Sequence, residues 1–269
     1  MSALPDPVPK SDSLPPDWRL PRGVDRALWQ YLHHETLARD YDRSLRDSPL
    51  ARTDIELVFQ HADPTRHRLI DLGCGTGRLL EAWEKSGGEG TGVDLSASML
   101  AQARARLAES SKISLVLGNL TDLQALEADR FDRAACLYST LGMLRPHRAR
   151  LDALKAFHRV VAPGGKLLLH AHNLWSNWRH PTGRRFLCRN LCFLMRGDRN
   201  AGDFINPTHN GIVGLSLHMF TKAELLADLR SASWKPEAVL PLGFDGKVLT
   251  AVASSLRAAG WFAIAQKPG

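Results

Sequence analysis

From His67 onward, short apolar runs alternate with stretches whose apolar positions recur every three or four residues. The runs at 69–72, 92–95, 113–117, 134–138 and 167–172 predict strands, and the stretches near 78–86, 97–109 and 146–161 predict helices. Parallel neighbours need a crossover of a dozen residues or more, usually a helix, so this rhythm predicts a parallel sheet. The runs are almost continuously apolar, as a sheet covered on both faces requires. Upstream, Leu28, Tyr31, Leu32, Leu37, Ala38 and Tyr41 keep helical spacing, and Ile55, Val58 and Phe59 predict a second, shorter helix. Before them stand Pro5, Pro7, Pro9, Pro15, Pro16 and Pro21, a density that blocks regular structure and predicts a mobile tail.

After Asn173 the rhythm breaks. Residues 174–214 are rich in Trp, Arg and Asn, with a helix predicted over 184–195. A strand is expected at 215–220, and Thr221-Lys222-Ala223-Glu224 is a capping box that opens a helix running to Ala232. An apolar run near Val239, a helical pattern stopped by Gly260 and a last strand over 261–266 close the chain. The expected organisation is a tail at 1–23, a helical cap at 24–65, an α/β core at 66–173, a lid-like insertion at 174–214 and a part at 215–269 that completes the sheet.

The chemistry is concentrated in Leu69-Ile70-Asp71-Leu72-Gly73-Cys74-Gly75-Thr76-Gly77-Arg78, between the first strand and the first helix of the core. Glycines there allow a tight turn and a close approach of ligand to backbone. Asp94 ends the second strand, where an acid can accept hydrogen bonds from both hydroxyls of a ribose. Together they point to a nucleoside-containing cofactor. The dinucleotide fingerprint is G-x-G-x-x-G, whereas this loop reads G-x-G-x-G with Asp71 two residues ahead of it. A carboxylate repels a pyrophosphate and attracts an ammonium group, which favours a cofactor carrying an amino-acid moiety.

These residues resemble the class I, Rossmann-like S-adenosylmethionine-dependent methyltransferases. The matching blocks are 69–77, 92–100, Gly118-Asn119-Leu120, Phe131-Asp132, residues 160–166 with Pro163-Gly164-Gly165, and His218-Met219-Phe220-Thr221 with the terminal 261–267. The resemblance spans about residues 55–267. It implies a doubly wound, seven-stranded, mostly parallel sheet with an antiparallel last strand and helices on both faces. It also implies S-adenosyl-L-methionine as cofactor, with Asp71, Gly73, Cys74, Gly75 and Gly77 around its methionine part. Asp94 would hold the ribose, Leu95 and Met99 would follow it, and Asn119 and Leu120 would line the adenine. Many relatives carry an acid where Asn119 stands. Tyr41 precedes an acid, Asp42, as in small-molecule members whose N-terminal segment folds over the cofactor, and Tyr138 belongs to the same expected site.

In an open α/β sheet the acceptor sits beyond the carboxyl ends of the strands. Tyr138, Ser139, Thr140 and Leu141 follow the fourth strand there, and His170, His172 and Asn173 lie at the end of the fifth. His172 and Asn173 are the candidates to orient or deprotonate an acceptor, although histidines of this kind equally serve as packed structural groups. A His-x-His pair without further ligands at sensible spacing does not make a metal site, so none is expected. Cys188 and Cys192, four apart on one helix, are expected to be buried thiols.

Composition narrows the picture. With 44% apolar residues, 21 glycines and 15 prolines, neither a disordered nor a fibrous chain fits. No uncharged apolar run approaches the roughly 18 residues of a membrane span, Met1 to Lys10 carries no signal pattern, and four cysteines do not make a disulfide framework. A cytoplasmic enzyme with no membrane partner is therefore expected, and its oligomeric state stays open. The net charge of +7 is uneven: residues 174–220 hold six arginines against two aspartates. Arg145 and Arg148 are expected near the acceptor mouth. The preferred function is methylation of an O, N or C atom on a small metabolite, with a lean towards an anionic one. The alternatives are an RNA methyltransferase, a nicotinamide-dependent oxidoreductase and a non-catalytic cofactor-binding protein.

Overall fold

The computed structural model describes residues 15–206, 208–209, 212–250 and 254–269. Most of the proline-rich tail, residues 1–14, lies outside them. The described end of that tail is tied down: Arg22 pairs with Asp152, and its carbonyl accepts the Asn119 side-chain N–H.

The core is built on β1 (Leu69–Leu72), β2 (Gly90–Asp94), β3 (Ile113–Leu117), β4 (Phe131–Cys136) and β5 (Val161–His172). Four short strands follow: β6 (Asp203–Ile205), β7 (Thr208–His209), β8 (Ile212–Val213) and β9 (Ser216–His218). β10 (Lys235–Leu242) and β11 (Gly260–Gln266) end the chain. The main sheet has seven strands in the order β10-β11-β5-β4-β1-β2-β3, and β11 runs antiparallel to both of its neighbours. This is the expected seven-stranded, mostly parallel sheet. The strand expected at 215–220 does not join it. β9 pairs instead with β6 in a two-stranded sheet of the insertion, and β7 pairs with β8.

Side chains alternate across the sheet, so each face has its own core. Leu167, Leu169 and Ala171 of β5 face α6 (His147–Val160) and α8 (Lys222–Ser231), through Leu154, Phe157, Leu225 and Leu229. Leu168 between them faces the other side, with α3 (Pro49–His61), α4 (Arg78–Lys85) and α5 (Ala97–Arg106), through Leu57, Val58, Leu80, Trp83 and Leu100. β4 stops at Cys136 rather than at the expected Tyr138, because Tyr138 and Ser139 take left-handed conformations, with φ of 49° and 62°. Left-handed backbone costs a residue other than glycine of order 1 kcal/mol or more and clusters at functional sites.

The cap contains α1 (Arg26–Leu32), α2 (Glu35–Leu45) and α3, one helix more than the two expected. The Ser96 hydroxyl donates to the carbonyl of Leu32, and Arg106 pairs with Asp42, so α1 and α2 are latched to α5. In the insertion, α7 (Pro181–Met195) buries only Gly183 and Leu187 fully, against Leu174 and Met219. Cys188 and Cys192 are therefore exposed, against expectation: their flank of the helix lies outside that narrow stripe.

The insertion is held to the core by one buried charge cluster. Asp203 of β6 accepts from His218 Nδ1 at 2.6 Å and from Arg145 Nε at 3.1 Å, and lies 3.3 Å from Arg150 Nη1. His218 Nε2 meets Glu224 at 2.9 Å, so only half of the capping box forms. Thr221 accepts from the Glu224 N–H, while the Glu224 carboxylate turns to His218. Of the two arginines expected near an acceptor mouth, Arg145 is thus held in internal pairs, as is Arg150, and Arg148 is exposed on α6.

Candidate active site

The loop after β1 folds over the carboxyl end of the sheet. Gly73, Gly75 and Gly77 have φ of 82°, 53° and 78°, a region that suits glycine. A Cβ on Gly73 would lie 2.3 Å from Thr140 Cγ2, so this position has no room for a side chain. Gly77 has a different task. It caps α4 and lies against Ala103 of α5 and Leu107 just after it, where it brings helix and loop together.

A groove opens beside this loop. Its floor is Gly73, Gly75, Asp94, Leu95, Met99, Asn119 and Leu120. Its walls are Val24 just before α1, Leu28, Tyr31 and Leu32 of α1, Tyr41 of α2, and Thr140, Met143 and Leu144 after β4. The expected site residues Gly73, Gly75, Asp94, Leu95, Met99, Asn119, Leu120 and Tyr41 are therefore brought together. Cys74 and Gly77 lie behind the loop and Tyr138 beyond it. Sequence reasoning missed the α1 wall. Its signal was the helical spacing of Leu28, Tyr31 and Leu32, which also described a helix that merely packs.

One carboxylate, Asp94, lines the groove, and a second, Asp71, is buried in β1 two residues before Gly73. Asp94 Oδ2 accepts from Gly75 N and Oδ1 from Ser96 N, each at 2.8 Å. Each oxygen keeps a lone pair for a further donor. Burial pushes Asp94 up, against the pull of those backbone N–H groups. Asp71, 4% exposed, makes no side-chain hydrogen bond or ion pair among the described residues. Burial, and then the charge of Asp94, push its carboxyl up to about 7, with Arg78 pulling the other way. Cys74 is buried, and burial with the two aspartates pushes its thiol well up, which makes it a small filler rather than a nucleophile. Asn119 donates to the Arg22 carbonyl and accepts from Thr121 N, so its amide joins tail to groove.

Beyond the groove lies a second cluster, at the ends of β4 and β5. The His170 and His172 rings stack at 5.6 Å, and the Tyr138 ring presents its edge to both. His170 is fully buried and bonds Asp54 of α3 through Nδ1 at 2.7 Å. Asp54 also accepts from Tyr138 N at 3.1 Å. His172 receives the Ser139 hydroxyl against both its backbone N–H and Nδ1. Its Nε2 makes no hydrogen bond among the described residues. Burial, and then His170, push His172 down to about 3, so its ring is neutral in the physiological range. Asn173 does not fit the role expected of it. It is buried, its Nδ2 donates to the carbonyls of Ser255 and Ala258, and its Oδ1 accepts from Trp175 N, which leaves nothing for an acceptor. Asp54 was not legible as a site residue. Among the described residues no group of three or more His, Cys, Asp or Glu side chains is placed to hold a metal ion.

Residues 69–165, which carry the glycine loop, both aspartates and Asn119, match the family model of a methyltransferase domain. The chain thus carries a methyltransferase domain, and its fold is that of the class I, Rossmann-like S-adenosylmethionine-dependent methyltransferases. This methyltransferase is 28% identical over 222 residues to a ubiquinone biosynthesis O-methyltransferase of Xanthomonas axonopodis pv. citri, which covers 80% of this chain and 82% of the relative. A protein of the same name from Pseudomonas aeruginosa is 29% identical over 216 residues, covering 72% and 89%. Among solved structures, a Methanosarcina mazei S-adenosylmethionine-dependent methyltransferase superposes with a TM-score of 0.62 at 19% identity, covering 79% of this chain and 97% of that one. The 1,6-didemethyltoxoflavin-N1-methyltransferase of Burkholderia thailandensis superposes with 0.58 at 16%, covering 87% and 85%. The protein is thus an enzyme, and S-adenosylmethionine is its cofactor. That replaces the nicotinamide-dependent and non-catalytic readings. Among the described residues no helix is long and apolar enough to cross a membrane.

Proposed function

We propose that this enzyme methylates a hydroxyl oxygen of a small molecule held against Tyr138, Ser139 and His172. The observation that carries the reading is the pairing of two environments. A groove lined by Asp94, with the buried, unpaired carboxylate of Asp71 two residues before its Gly73, stands next to a cluster whose imidazole, His172, is neutral and keeps one nitrogen unbonded among the described residues. The groove residues fit the cofactor. Asp71 takes its ammonium, Asp94 its ribose hydroxyls and Leu120 with Asn119 its adenine, while Gly73 lets it approach the backbone. When bound, the cofactor supplies a methyl group already activated on a positively charged sulfur. What remains for the protein is to align an acceptor oxygen with that methyl and to exclude water. His172, pushed down to about 3, is too weak a base to hold a hydroxyl proton, so its role is to orient the oxygen through Nε2. The O-methyltransferase names of the two curated relatives support oxygen as the acceptor atom.

Incubation with methyl-labelled S-adenosylmethionine and cell extract, fractionated into RNA, protein and small molecules, tests this reading. The label is expected in small molecules, as a methyl ether. Label recovered only in RNA overturns it.

The state of Asp71 adds a prediction. Near pH 7 part of the protein carries Asp71 protonated, and binding an ammonium group requires the ionised form. Lowering the pH through 7 should therefore weaken cofactor binding by up to about tenfold per unit, until the ionised fraction no longer limits it. Titration calorimetry from pH 5.5 to 8 measures this. Asp71→Asn should bind more weakly and lose the dependence; a wild type with flat affinity across that range would contradict the assignment.

A further inference from the structure

A second cavity lies between α2, α3 and α4, and it shares no lining residue with the groove. Arg46, Arg52 and Arg78 line it, with Asp42, Ser48 and the apolar Leu45, Ala51 and Ile55. Among the described residues no carboxylate lies within ion-pair distance of any of the three arginines. The one acid in the wall, Asp42, is committed: it accepts from Thr76 Oγ1 at 2.6 Å and pairs with Arg106. Three guanidinium groups around one cavity repel one another, and an anion seated among them relieves that repulsion with charge-assisted hydrogen bonds.

The cavity borders both parts of the site. Ser48 lies in its wall, and the Ser48 hydroxyl is 3.4 Å from the Tyr138 hydroxyl. Arg78 acts on Asp71 and Tyr41, on the groove side. Arg78 alone is placed to answer the carboxylate that accompanies the cofactor's ammonium, which leaves Arg46 and Arg52 as surplus cations on the side of Tyr138. We propose that Arg46 and Arg52 form the subsite for an anionic group, a carboxylate or phosphate, on the methyl acceptor. This rests on the small-molecule reading above and moves the anionic preference away from the arginines of residues 174–220 to Arg46 and Arg52, which are exposed as well but line one cavity together with Arg78. The apolar Leu45, Ala51 and Ile55 suit the body of such a molecule, which would run from the arginines past Ser48 to place its hydroxyl beside Tyr138 and His172.

The test uses the full chain saturated with S-adenosylhomocysteine, so that the cofactor's own carboxylate is already in place. Inorganic sulfate is titrated into wild type and into the double variant Arg46→Ala/Arg52→Ala. Saturable sulfate binding is expected in wild type and a loss of at least about tenfold in the variant, with S-adenosylhomocysteine affinity kept within about twofold. In parallel, methyl transfer is measured to 3,4-dihydroxybenzoate and to the uncharged 4-methylcatechol, and the variant should raise KM for the first alone. No saturable sulfate binding in wild type, equal binding by both proteins, or a variant that loses S-adenosylhomocysteine affinity instead would overturn the proposal. Sulfate binding that depends on the arginines, with no methylation of any hydroxyl compound, would keep the subsite and remove the O-methylation reading.

Discussion

Replacing Asp94 by Ala is expected to weaken S-adenosylmethionine binding by on the order of a hundredfold or more. A hydrogen bond to a charged group contributes about 1.5–3 kcal/mol, and a ribose offers two hydroxyls to this carboxylate. The effect is compounded because Asp94 also fixes the loop, accepting from Gly75 N on one side and Ser96 N on the other. Without it the glycine backbone loses the anchor that shapes the groove. Calorimetry on wild type and variant measures the difference, with circular dichroism to show that the fold is retained. An unchanged affinity would remove the basis for placing the cofactor in this groove.

The second large effect is on stability. Asp203→Ala should cost about 3–5 kcal/mol, because it strands a buried cation. The Arg150 side chain is fully buried, and Asp203, at 6% side-chain exposure, is its carboxylate partner. The same change strips one of the two acceptors from His218 and the closest ion pair from Arg145. For a chain of this size the melting temperature should fall by roughly 10 °C. Burial works against the charge of Asp203, but the His218 bond and then Arg150 and Arg145 hold its carboxyl below the usual range. A carboxyl lowered on folding stabilises above its unfolded pKa and loses that contribution as pH falls through the folded value. Wild type should therefore shed this stability below about pH 4. The variant's deficit should shrink there too; a deficit constant down to pH 3 would point to lost packing alone.

The parts of the site that were legible in the sequence are those set by local backbone demands. A turn that must reverse direction and admit a ligand needs glycine, so Gly73 and Gly75 could be placed by spacing. An acid at a strand end, Asp94, could be placed the same way. Continuous apolar runs placed β1 and β3 to the residue and β11 to within one, although only β1 and β11 are buried along nearly their whole length and β3 is a partly exposed edge strand. What escaped were long-range pairings. Asp54 belongs to a helix whose apolar spacing is clear, yet its partner His170 is 116 positions away and nothing local distinguishes it from a surface acid. Arg145 was expected at the acceptor mouth, but its partner Asp203, shared with the buried Arg150, comes from a strand 58 positions later. Asn173 sat at the expected strand end, but the carbonyls that occupy its amide belong to residues more than eighty positions later. Cys188 and Cys192 show the same failing: helical spacing groups residues on a face without saying which face is covered.

The α1 wall has one more consequence. Val24 and Leu28 line the groove, and they also share an apolar cluster with Ile212 of the insertion and Leu215 just after it. A shift of that hairpin is transmitted to α1 through direct apolar contact. A repositioning of the hairpin that moved Val24 or Leu28 would alter cofactor affinity, and thermodynamic reciprocity would then oblige the cofactor to alter the hairpin's equilibrium by the same factor. The N-terminal cap and the β7–β8 hairpin thus share one apolar cluster beside the groove, a direct contact through which the position of the hairpin and the occupancy of the groove would be linked.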